Sequence, residues 1–324
     1  MRLLFVGDVM LGRLVNRVLE RKPSEFPWGD TLGVLKSADV RICNLECVVS
    51  DRGRPWSATP KAFHFRTDAR NVRCLKAAGF DAVSLANNHS LDFEYEAAYD
   101  TLEILDSVGI AHAGFGHTFE EASRTAYFER AGARLALVAF TDNEPGWEAR
   151  DGVPGVFYAP IELDDPRAVM LFEKIAEAKG EADIVIASAH WGPNWGYRPI
   201  ESHRSFGRSM VDAGADIVFG HSCHVFQGVE VYRGSPIMYG TGDFVDDYAV
   251  DDIERNDESF IFTLDWEGML KGISMYPTII TDFHAELAPY PRGELIAGKM
   301  MTLMGEFGLE SEWVEKDGVL QVRL

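Results

Sequence analysis

Histidines and carboxylates in this sequence stand directly after short apolar runs, where they are placed for proton transfer or metal binding. In the clearest case, His221 and His224 follow the apolar run 215–219, and Gly220 is predicted to turn the backbone sharply between run and histidines. Imidazoles on a loop just past a strand end are suited to act as ligands or acid–base groups. A structural role fits this histidine pair equally well, so the rest of the chain has to decide between the two interpretations.

Four earlier apolar runs also end in residues that can do such chemistry. Asp8, Glu46, the pair Asn88 and His89, and His190 each follow a run of strand length. In α/β proteins, ligands bind at the carboxyl ends of the strands. Packing needs alone rarely place a donor at five strand ends. We therefore predict that these residues, far apart in the sequence, meet in one small cavity.

Each of these residues also has a structural alternative. Asp8 is suited to cap a helix predicted over 11–20, and Glu46 is compatible with a solvated loop acid. Asp243 follows the glycine-rich turn 240–242, where it either stabilises the turn or joins the site. His203 falls in a helix predicted over 202–213 and is interpreted as a surface residue.

The predicted donor set combines two carboxylates, one amide and several imidazoles, without a consistent thiolate. This mixture suits Mn²⁺, Fe²⁺ or Zn²⁺ better than a site for Mg²⁺ alone or for Ca²⁺. A carboxylate such as Glu46 can bridge two ions about 3.5–4 Å apart, an arrangement that activates water for phosphoester cleavage. His89, next to the amide of Asn88, is placed to protonate the leaving oxygen. One ion, two ions and no ion remain alternatives.

The elements that must position these residues are short buried strands alternating with amphipathic helices, which indicates an α/β fold. Strands are predicted over 3–6, 40–43, 82–86, 110–113, 183–189, 215–219, 258–266 and 272–278. Helices are predicted over 68–78, 94–108, 164–179, 202–213 and 294–307. Hairpins are predicted over 125–140, 225–239 and 312–322. The long loop 141–160 has the length of a substrate loop or lid.

Length and composition are those of a globular protein. The chain has 324 residues, 46% of them hydrophobic, and a net charge of −20. That charge repels phosphate backbones and anionic membranes, so it disfavours nucleic acid as a partner and membrane insertion. The N-terminal apolar run 3–6 is too short for a signal peptide or membrane anchor, and four cysteines without a C-x-x-C pair fit a reducing compartment. We therefore expect a cytoplasmic protein.

At the candidate site residues the sequence resembles the CapA family of capsule or poly-γ-glutamate synthesis proteins, within the calcineurin-like metallophosphoesterase superfamily. The resemblance fits in order and spacing over about residues 1–250. The matching stretches are Gly7–Met10, Asn44–Glu46, Ala86–His89 with Leu91–Asp92, His190–Gly192, Gly214–Asp216 through Gly220–His221, His224–Val225, and Tyr239–Phe244.

The resemblance implies a metallophosphatase-like four-layer sandwich, with two mixed β-sheets flanked by helices and the site at the C-terminal strand ends. It also implies a metal-type set and an acid–base residue, His89. The metal-type set is Asp8, Glu46, Asn88, His190, His221 and His224. The chain departs from the superfamily pattern at Met10, where a histidine is usual, and at Glu46, which takes the place of the bridging aspartate. It departs again at 222–223 and at Asp243.

We expect one domain over 1–324, with the motifs in 1–250 and the C-terminal elements of 255–324 packed on it. Asn87, Trp191 and Arg198 are predicted to contact the substrate, whereas Glu46 and His89 are predicted to be catalytic. The oligomeric state stays open.

Three functions fit these predictions. The first is a metal-dependent hydrolase of the phosphoesterase type, linked to poly-γ-glutamate or capsule metabolism. The second is a metal-independent acid–base enzyme on a peptide or glutamyl substrate, using Glu46 with His89 or His190. The third is a non-catalytic accessory protein of poly-γ-glutamate synthesis. The partner is a small molecule or a peptide or γ-glutamyl substrate in each case.

Overall fold

The computed structural model describes residues 1–324 and contains two large β-sheets with helices on their outer faces. The strands are β1 (Arg2–Val9), β2 (Val40–Leu45), β3 (Val48–Val49), β4 (Arg66–Thr67), β5 (Ala82–Ser84), β6 (Ala111–Ala113), β7 (Phe115–Gly116), β8 (Ala126–Arg130), β9 (Ala133–Thr141), β10 (Gly155–Val156), β11 (Ile184–His190), β12 (Ile217–His221), β13 (Val229–Tyr232), β14 (Ser235–Met238), β15 (Asp243–Val245), β16 (Glu258–Trp266), β17 (Leu270–Thr281), β18 (His284–Leu287), β19 (Glu312–Val314) and β20 (Val319–Arg323). The helices are α1 (Arg13–Leu19), α2 (Leu32–Lys36), α3 (Val72–Ala78), α4 (Glu94–Val108), α5 (Phe119–Ala122), α6 (Pro166–Lys179), α7 (Glu201–Ala213) and α8 (Arg292–Gly305).

The first sheet is mixed and has β1 near its centre. Its strand order is β19-β20-β17-β16-β1-β2-β5-β6, with β15 also paired to β1 and β18 to β17. Strands β1, β2, β5 and β6 run parallel, whereas β16, β17, β20 and β19 are antiparallel. The C-terminal strands therefore complete the same sheet that carries the N-terminal motif.

The second sheet has the order β13-β14-β12-β11-β9-β8. Strands β9, β11, β12 and β14 run parallel, and the two edge strands, β8 and β13, are antiparallel to their neighbours. Its central strand β11 is buried along its whole length, as expected for a parallel sheet that is covered on both faces.

Alternation along the strands builds a four-layer sandwich. In β1, Leu3 and Phe5 join a core between the two sheets, whereas Leu4 and Val6 face a second core under α1–α4. In β11, Ile186 likewise faces the inter-sheet core, while its neighbours pack under α6 and α7. Successive strand residues point to opposite faces, so each strand supplies two cores. Helix α8 adds its apolar side to the inter-sheet core.

The predicted α/β architecture of two mixed sheets flanked by helices is confirmed, and α4 and β16 have the predicted bounds. Some strand ends differ from the prediction. Strand β1 continues through Asp8 to Val9, and β12 continues through His221, so both side chains lie within strands rather than after them. Backbone pairing with β15 and β11 extends these strands through polar residues, which an apolar run cannot indicate.

Gly220 serves a different purpose from the predicted turn. It lies inside β12, where a Cβ atom would come within 2.3 Å of the Tyr239 carbonyl oxygen and 2.6 Å of that of Met238. Glycine is therefore required here for close approach of the β14 segment. The positive φ angles follow at Ser222 (103°) and His224 (53°), in the region that side chains other than glycine seldom adopt. These two residues turn the chain back over the strand ends.

None of the helices is long and apolar enough to cross a membrane.

Candidate metal centre

Strand register brings the predicted residues together at one end of the two sheets. Asp8 is paired in register with Asn44 of β2 on one side and with Asp243 of β15 on the other. In the second sheet, His190 and His221 are register partners at the ends of β11 and β12. Neighbouring residues in register project to the same face. The convergence of distant strand ends is thus a consequence of the pairing.

Two groups of ligand-type side chains share Asp8. The first consists of Asp8, His190 and His221, and the second of Asp8, Glu46 and His224. Within each group, one ligand atom from each residue lies within 4.8 Å of the others. Oδ1 of Asp8 lies 3.9 Å from Nδ1 of His221, and Oδ2 of Asp8 lies 3.9 Å from Nδ1 of His224. The carboxylate common to both groups is therefore Asp8, and a bridging role of Glu46, which belongs to the second group, stays a prediction.

Several buried oxygens at this centre have no hydrogen-bond partner. They are Oδ2 of Asp8, Oε1 of Glu46, Oδ1 of Asn88 and Oδ2 of Asp243. An unpartnered buried carboxylate oxygen is costly, and such groups are normally paired or bound to a cation. The donor set and its unpartnered oxygens therefore fit a divalent cation held between the sheets.

Burial and mutual repulsion shift the pKa values of the acidic groups upward. Burial, followed by the charge of Asp8, raises the pKa of Glu46 well above its usual range. Burial and the neighbouring Asp246 do the same to the pKa of Asp243, and burial raises the pKa of Asp246 itself to about 6. A divalent cation would relieve both causes, because it stabilises the ionised carboxylates.

The pKa values of the histidines are shifted downward, in the opposite direction to those of the acidic groups. Burial lowers the pKa of His221 to about 4, and burial together with His221 lowers the pKa of His190 well below its usual range. Their Nδ1 atoms lie 2.9 Å apart, and Nε2 of His221 lies 2.8 Å from the hydroxyl of Ser188. Both rings are therefore neutral at neutral pH, the form in which imidazole binds a metal.

A second imidazole–carboxylate unit lies beside the carboxylates. Nδ1 of His89 is 2.5 Å from Oδ2 of Asp92, and its Nε2 is 3.6 Å from Oε1 of Glu46. The ring of Phe65 stacks on His89 with centroids 3.9 Å apart. Because Asp92 accepts the proton at Nδ1, Nε2 is left to exchange a proton with a substrate. Burial lowers the pKa of His89, partly opposed by Asp92.

These groups open onto a cleft of about 480 Å³. Asn88, His89 and His224 form its inner wall, and Phe63 and Trp195 lie on its exposed rim. A cleft of this size accommodates a small molecule or a short piece of a polymer.

A family model described as "Bacterial capsule synthesis protein PGA_cap" matches residues 2–248, the part of the chain that carries every candidate ligand. The chain belongs to the PGA_cap family.

Relatives agree with this assignment. The PGA biosynthesis protein CapA of Bacillus subtilis is 30% identical over 321 residues, which cover 98% of this chain and 80% of the relative. A Mycobacterium tuberculosis protein described as a polyglutamine synthesis accessory protein is 36% identical over 247 residues, or 73% of this chain and 64% of its own length. The chain thus spans less than two thirds of the mycobacterial relative.

The fold of this PGA_cap protein is also found in a solved structure. A candidate 5'-nucleotidase from Staphylococcus aureus, in complex with alpha-ketoglutarate, superposes with a TM-score of 0.53 at 14% sequence identity. The match covers 92% of this chain and 57% of that chain. The likeness confirms the metallophosphatase-like fold expected from the sequence.

Three residues predicted to contact the substrate lie away from the cleft wall in this PGA_cap protein. Asn87 is buried and donates to Oδ1 of Asn44, and the Trp191 indole is buried and donates to the Tyr239 carbonyl. Arg198 pairs with Glu306 beside a separate cavity of about 130 Å³. None of these three side chains lines the cleft, and their contact with a substrate stays a prediction.

Sequence reasoning missed several residues that hold the centre together. Asn44 donates to Oδ1 of Asp8 at 2.8 Å and to Oε2 of Glu46 at 3.2 Å, so it fixes both carboxylates. Its position two residues before Glu46 in a strand was a usable signal, since such residues share a face. Lys61, which lies 3.4 Å from Asp92, and Tyr248, whose ring packs edge-on against His224, come from loops, where no periodicity indicates contacts.

His203 is also placed differently from the prediction. It is buried rather than on the surface, with its ring against Trp191 and 3.9 Å from Asp142. Residue 192 explains part of this burial, because a Cβ atom on Gly192 would come within 2.6 Å of the His203 ring. Helix α7 thus directs the His203 side chain into the interior, whereas the sequence had predicted a surface residue.

Proposed function

We propose that this PGA_cap protein is a metal-dependent hydrolase of the phosphoesterase type that acts in poly-γ-glutamate or capsule metabolism. The observation that carries the proposal is the arrangement of two ligand groups sharing Asp8 next to the His89–Asp92 pair. Ligands alone would support a structural metal. A buried imidazole on the cleft wall, with Nδ1 bound to Asp92 and Nε2 left over, adds a group for proton transfer.

The residues that would hold a cation are the two groups around Asp8, together with the amide oxygen of Asn88. Their mixture of carboxylate, amide and imidazole supports manganese, iron or zinc. When bound, such an ion supplies a Lewis acid for a phosphoryl oxygen and lowers the pKa of water. The buried walls of the centre exclude bulk water and strengthen every electrostatic interaction within it.

The chain's own residues supply the proton transfer. Asp92 accepts a hydrogen bond from the Nδ1–H group of His89, which fixes the ring orientation and stabilises the imidazolium form. In that form, Nε2 donates its proton to the leaving oxygen, and the neutral ring keeps its hydrogen bond to Asp92. Oε1 of Glu46 lies 3.6 Å from the same Nε2 without a hydrogen bond. Ser188 similarly orients His221 through Nε2.

The link to capsule or polyglutamate metabolism is supported by the relatives. The Bacillus subtilis protein is described by its role in PGA biosynthesis, and its match extends over nearly the whole of this chain. The mycobacterial relative is described as an accessory protein, so the family connection alone supports participation rather than a reaction.

A direct test measures hydrolysis of a chromogenic phosphomonoester and phosphodiester by protein purified without chelators. We expect activity that increases on adding Mn²⁺ and disappears in Asp8→Asn. Asp106→Asn is the matched control, because that carboxylate also contacts an imidazole, of His112, but lies at the surface. No activity with any of manganese, iron or zinc would contradict the proposal.

A metal-free acid–base enzyme is the second candidate. It is supported by Met10, which stands where the superfamily usually has a histidine and whose sulfur accepts from Gly12 N–H, and by the 3.6 Å contact of Glu46 with His89. Activity on a glutamyl substrate that survives strong chelation but not His89→Ala would favour it.

A non-catalytic accessory role is the third candidate, supported by the description of the mycobacterial relative. Complementation of a strain lacking this protein by the double variant His190→Ala plus His221→Ala would favour binding over turnover. Loss of complementation with unchanged protein level would favour the hydrolase.

A further inference from the structure

The loop between β3 and β4 packs directly against the His89–Asp92 pair. Three contacts join them: the Phe65 ring on His89, the Phe65 N–H donating to Oδ2 of Asp92 at 2.6 Å, and the Lys61 ammonium near the same carboxylate. The loop therefore covers one whole side of the acid–base unit.

Lys61 is almost completely buried, with only 9% of its side chain exposed. Its Nζ lies 2.7 Å from the carbonyl oxygen of Asn88, 3.4 Å from Oδ1 of Asp92 and 3.5 Å from Oε1 of Glu144. The ring centroid of Trp147 is 4.9 Å away. A buried ammonium is stable only where such partners surround it, so the side chain has one fixed position.

The two oxygens of Asp92 have different partners. Oδ2 accepts from His89 and from the Phe65 N–H, whereas Oδ1 has no hydrogen bond and faces only the Lys61 cation. Lys61 thus fixes the rotation of this carboxylate about the Cβ–Cγ bond. That rotation determines whether Oδ2 reaches the imidazole.

The contact with the Asn88 carbonyl extends the effect to the ligand groups. The Oδ1 atom of Asn88 is buried and unpartnered at the centre, and its backbone is held by Lys61. The same ammonium therefore fixes the residue that carries an amide ligand and the carboxylate that orients the adjacent imidazole.

We propose that Lys61 is a positioning residue, which holds Asp92 and the Asn88 backbone so that His89 faces the substrate with a fixed tautomer and orientation. The inference rests on the proposed hydrolase function for its kinetic consequence, but its structural content is independent of it. Lys61 also lines the cleft, and in this proposal it acts through Asp92 rather than on the reacting atoms.

The test compares Lys61→Met and Lys61→Arg with wild type and with Lys76→Met. Lys76 is the matched control, since its Nζ also donates to a backbone carbonyl, that of Val108 at 2.9 Å, but at an exposed site. We expect Lys61→Met to lower kcat about 10- to 100-fold, as for other groups that orient a site, with KM within about twofold. Lys61→Arg restores part of kcat.

A rise in KM with unchanged kcat would overturn the inference, because Lys61 would then bind the substrate itself. Equal kcat in Lys61→Met and Lys76→Met would also overturn it. Should Lys61→Met not fold, Lys61→Gln carries the same comparison, since it keeps a donor for the Asn88 carbonyl and removes the charge.

A measurement without turnover separates this inference from the proposed function. Nitrogen-15 NMR of the histidine rings in metal-free protein reports the tautomer of His89. We expect the Nδ1-protonated form in wild type and in Lys76→Met, and a mixture of tautomers in Lys61→Met. An unchanged His89 signal in Lys61→Met would overturn the inference even if no substrate is ever found.

Discussion

The Nδ1 atoms of His190 and His221 lie 2.9 Å apart at the ends of two neighbouring parallel strands. Two imidazoles this close cannot both be protonated at low cost, and both are buried. The pair is therefore kept neutral by its surroundings, which prepares it for a cation and makes it sensitive to acid.

Acid sensitivity gives the first prediction. The pKa of His221 is about 4 in the folded chain and about 6.5 when unfolded, so the unfolded state binds more protons between these values. The His221 contribution to the free energy of unfolding of metal-free protein should rise with pH from 4 to 6.5 by at most about 3 kcal/mol, whereas the raised pKa values of Glu46, Asp243 and Asp246 act in the opposite direction. Urea titrations of wild type and His221→Gln check this. The difference in unfolding free energy between wild type and His221→Gln should rise with pH over this range, whereas the difference between wild type and His112→Gln should not. Parallel curves for wild type and His221→Gln would contradict the assignment.

Proton transfer by His89 gives the second prediction. His89→Gln should lower kcat by about 10²–10⁴-fold, and Asp92→Asn by a smaller factor, because the ring keeps its place but loses its charged partner. Metal content should not change, since neither residue belongs to a ligand group. Steady-state kinetics and elemental analysis of the same samples test this, with Asp106→Asn as control. Retention of full activity by His89→Gln would refute the role.

Asn44 provides a third prediction, on stability. Replacing it by leucine, of similar volume, removes one buried hydrogen bond from each of Asp8, Glu46 and Asn87. The metal-free protein should lose about 2–3 kcal/mol of unfolding free energy. Chemical denaturation measures the loss, and Asn194→Leu on the exposed cleft rim is the control. A loss equal to that of the control would show that the hydrogen bonds contribute little.

The approach of two strands gives a fourth prediction. A Cβ atom on Gly7 would lie 1.7 Å from the carbonyl oxygen of Gly242, so Gly7→Ala must push β1 away from the segment entering β15. We expect a loss of about 3 kcal/mol or more. Gly33→Ala in α2, where no atom lies within 4 Å, should instead stabilise slightly. Thermal unfolding of both variants decides, and equal melting temperatures would contradict the close approach of Gly7 and Gly242.

The sequence predicted much of the architecture because apolar runs and helical periodicity record burial. It placed α4 and β16 correctly, and it collected Asp8, Glu46, His190 and His221 into one site. It did not predict that Asp8 belongs to both ligand groups, since that depends on strand register and on the turn of the chain at 222–224. Register is set by pairing over the whole sheet, and a local pattern contains no information about it.

The contacts of loop residues also could not be predicted from the sequence. Lys61 stands in a polar stretch rich in turn residues, and its burial follows from partners at 88, 92 and 144. Arg198 is the opposite example. It lies close in sequence to two tryptophans and was predicted to bind substrate, but it forms an ion pair with Glu306 away from the cleft. Charge type alone therefore did not distinguish a site residue from a surface ion pair.

The most direct test of the central claim is elemental analysis of protein purified without chelators and reconstituted with Mn²⁺, comparing wild type, Asp8→Asn, His224→Gln and the control Asp106→Asn. Because Asp8 belongs to both ligand groups and His224 to one, we predict one or two ions per chain in wild type and in the control, a partial loss in His224→Gln, and an almost complete loss in Asp8→Asn. Wild-type protein without stoichiometric metal, or Asp8→Asn with full occupancy, would contradict the account.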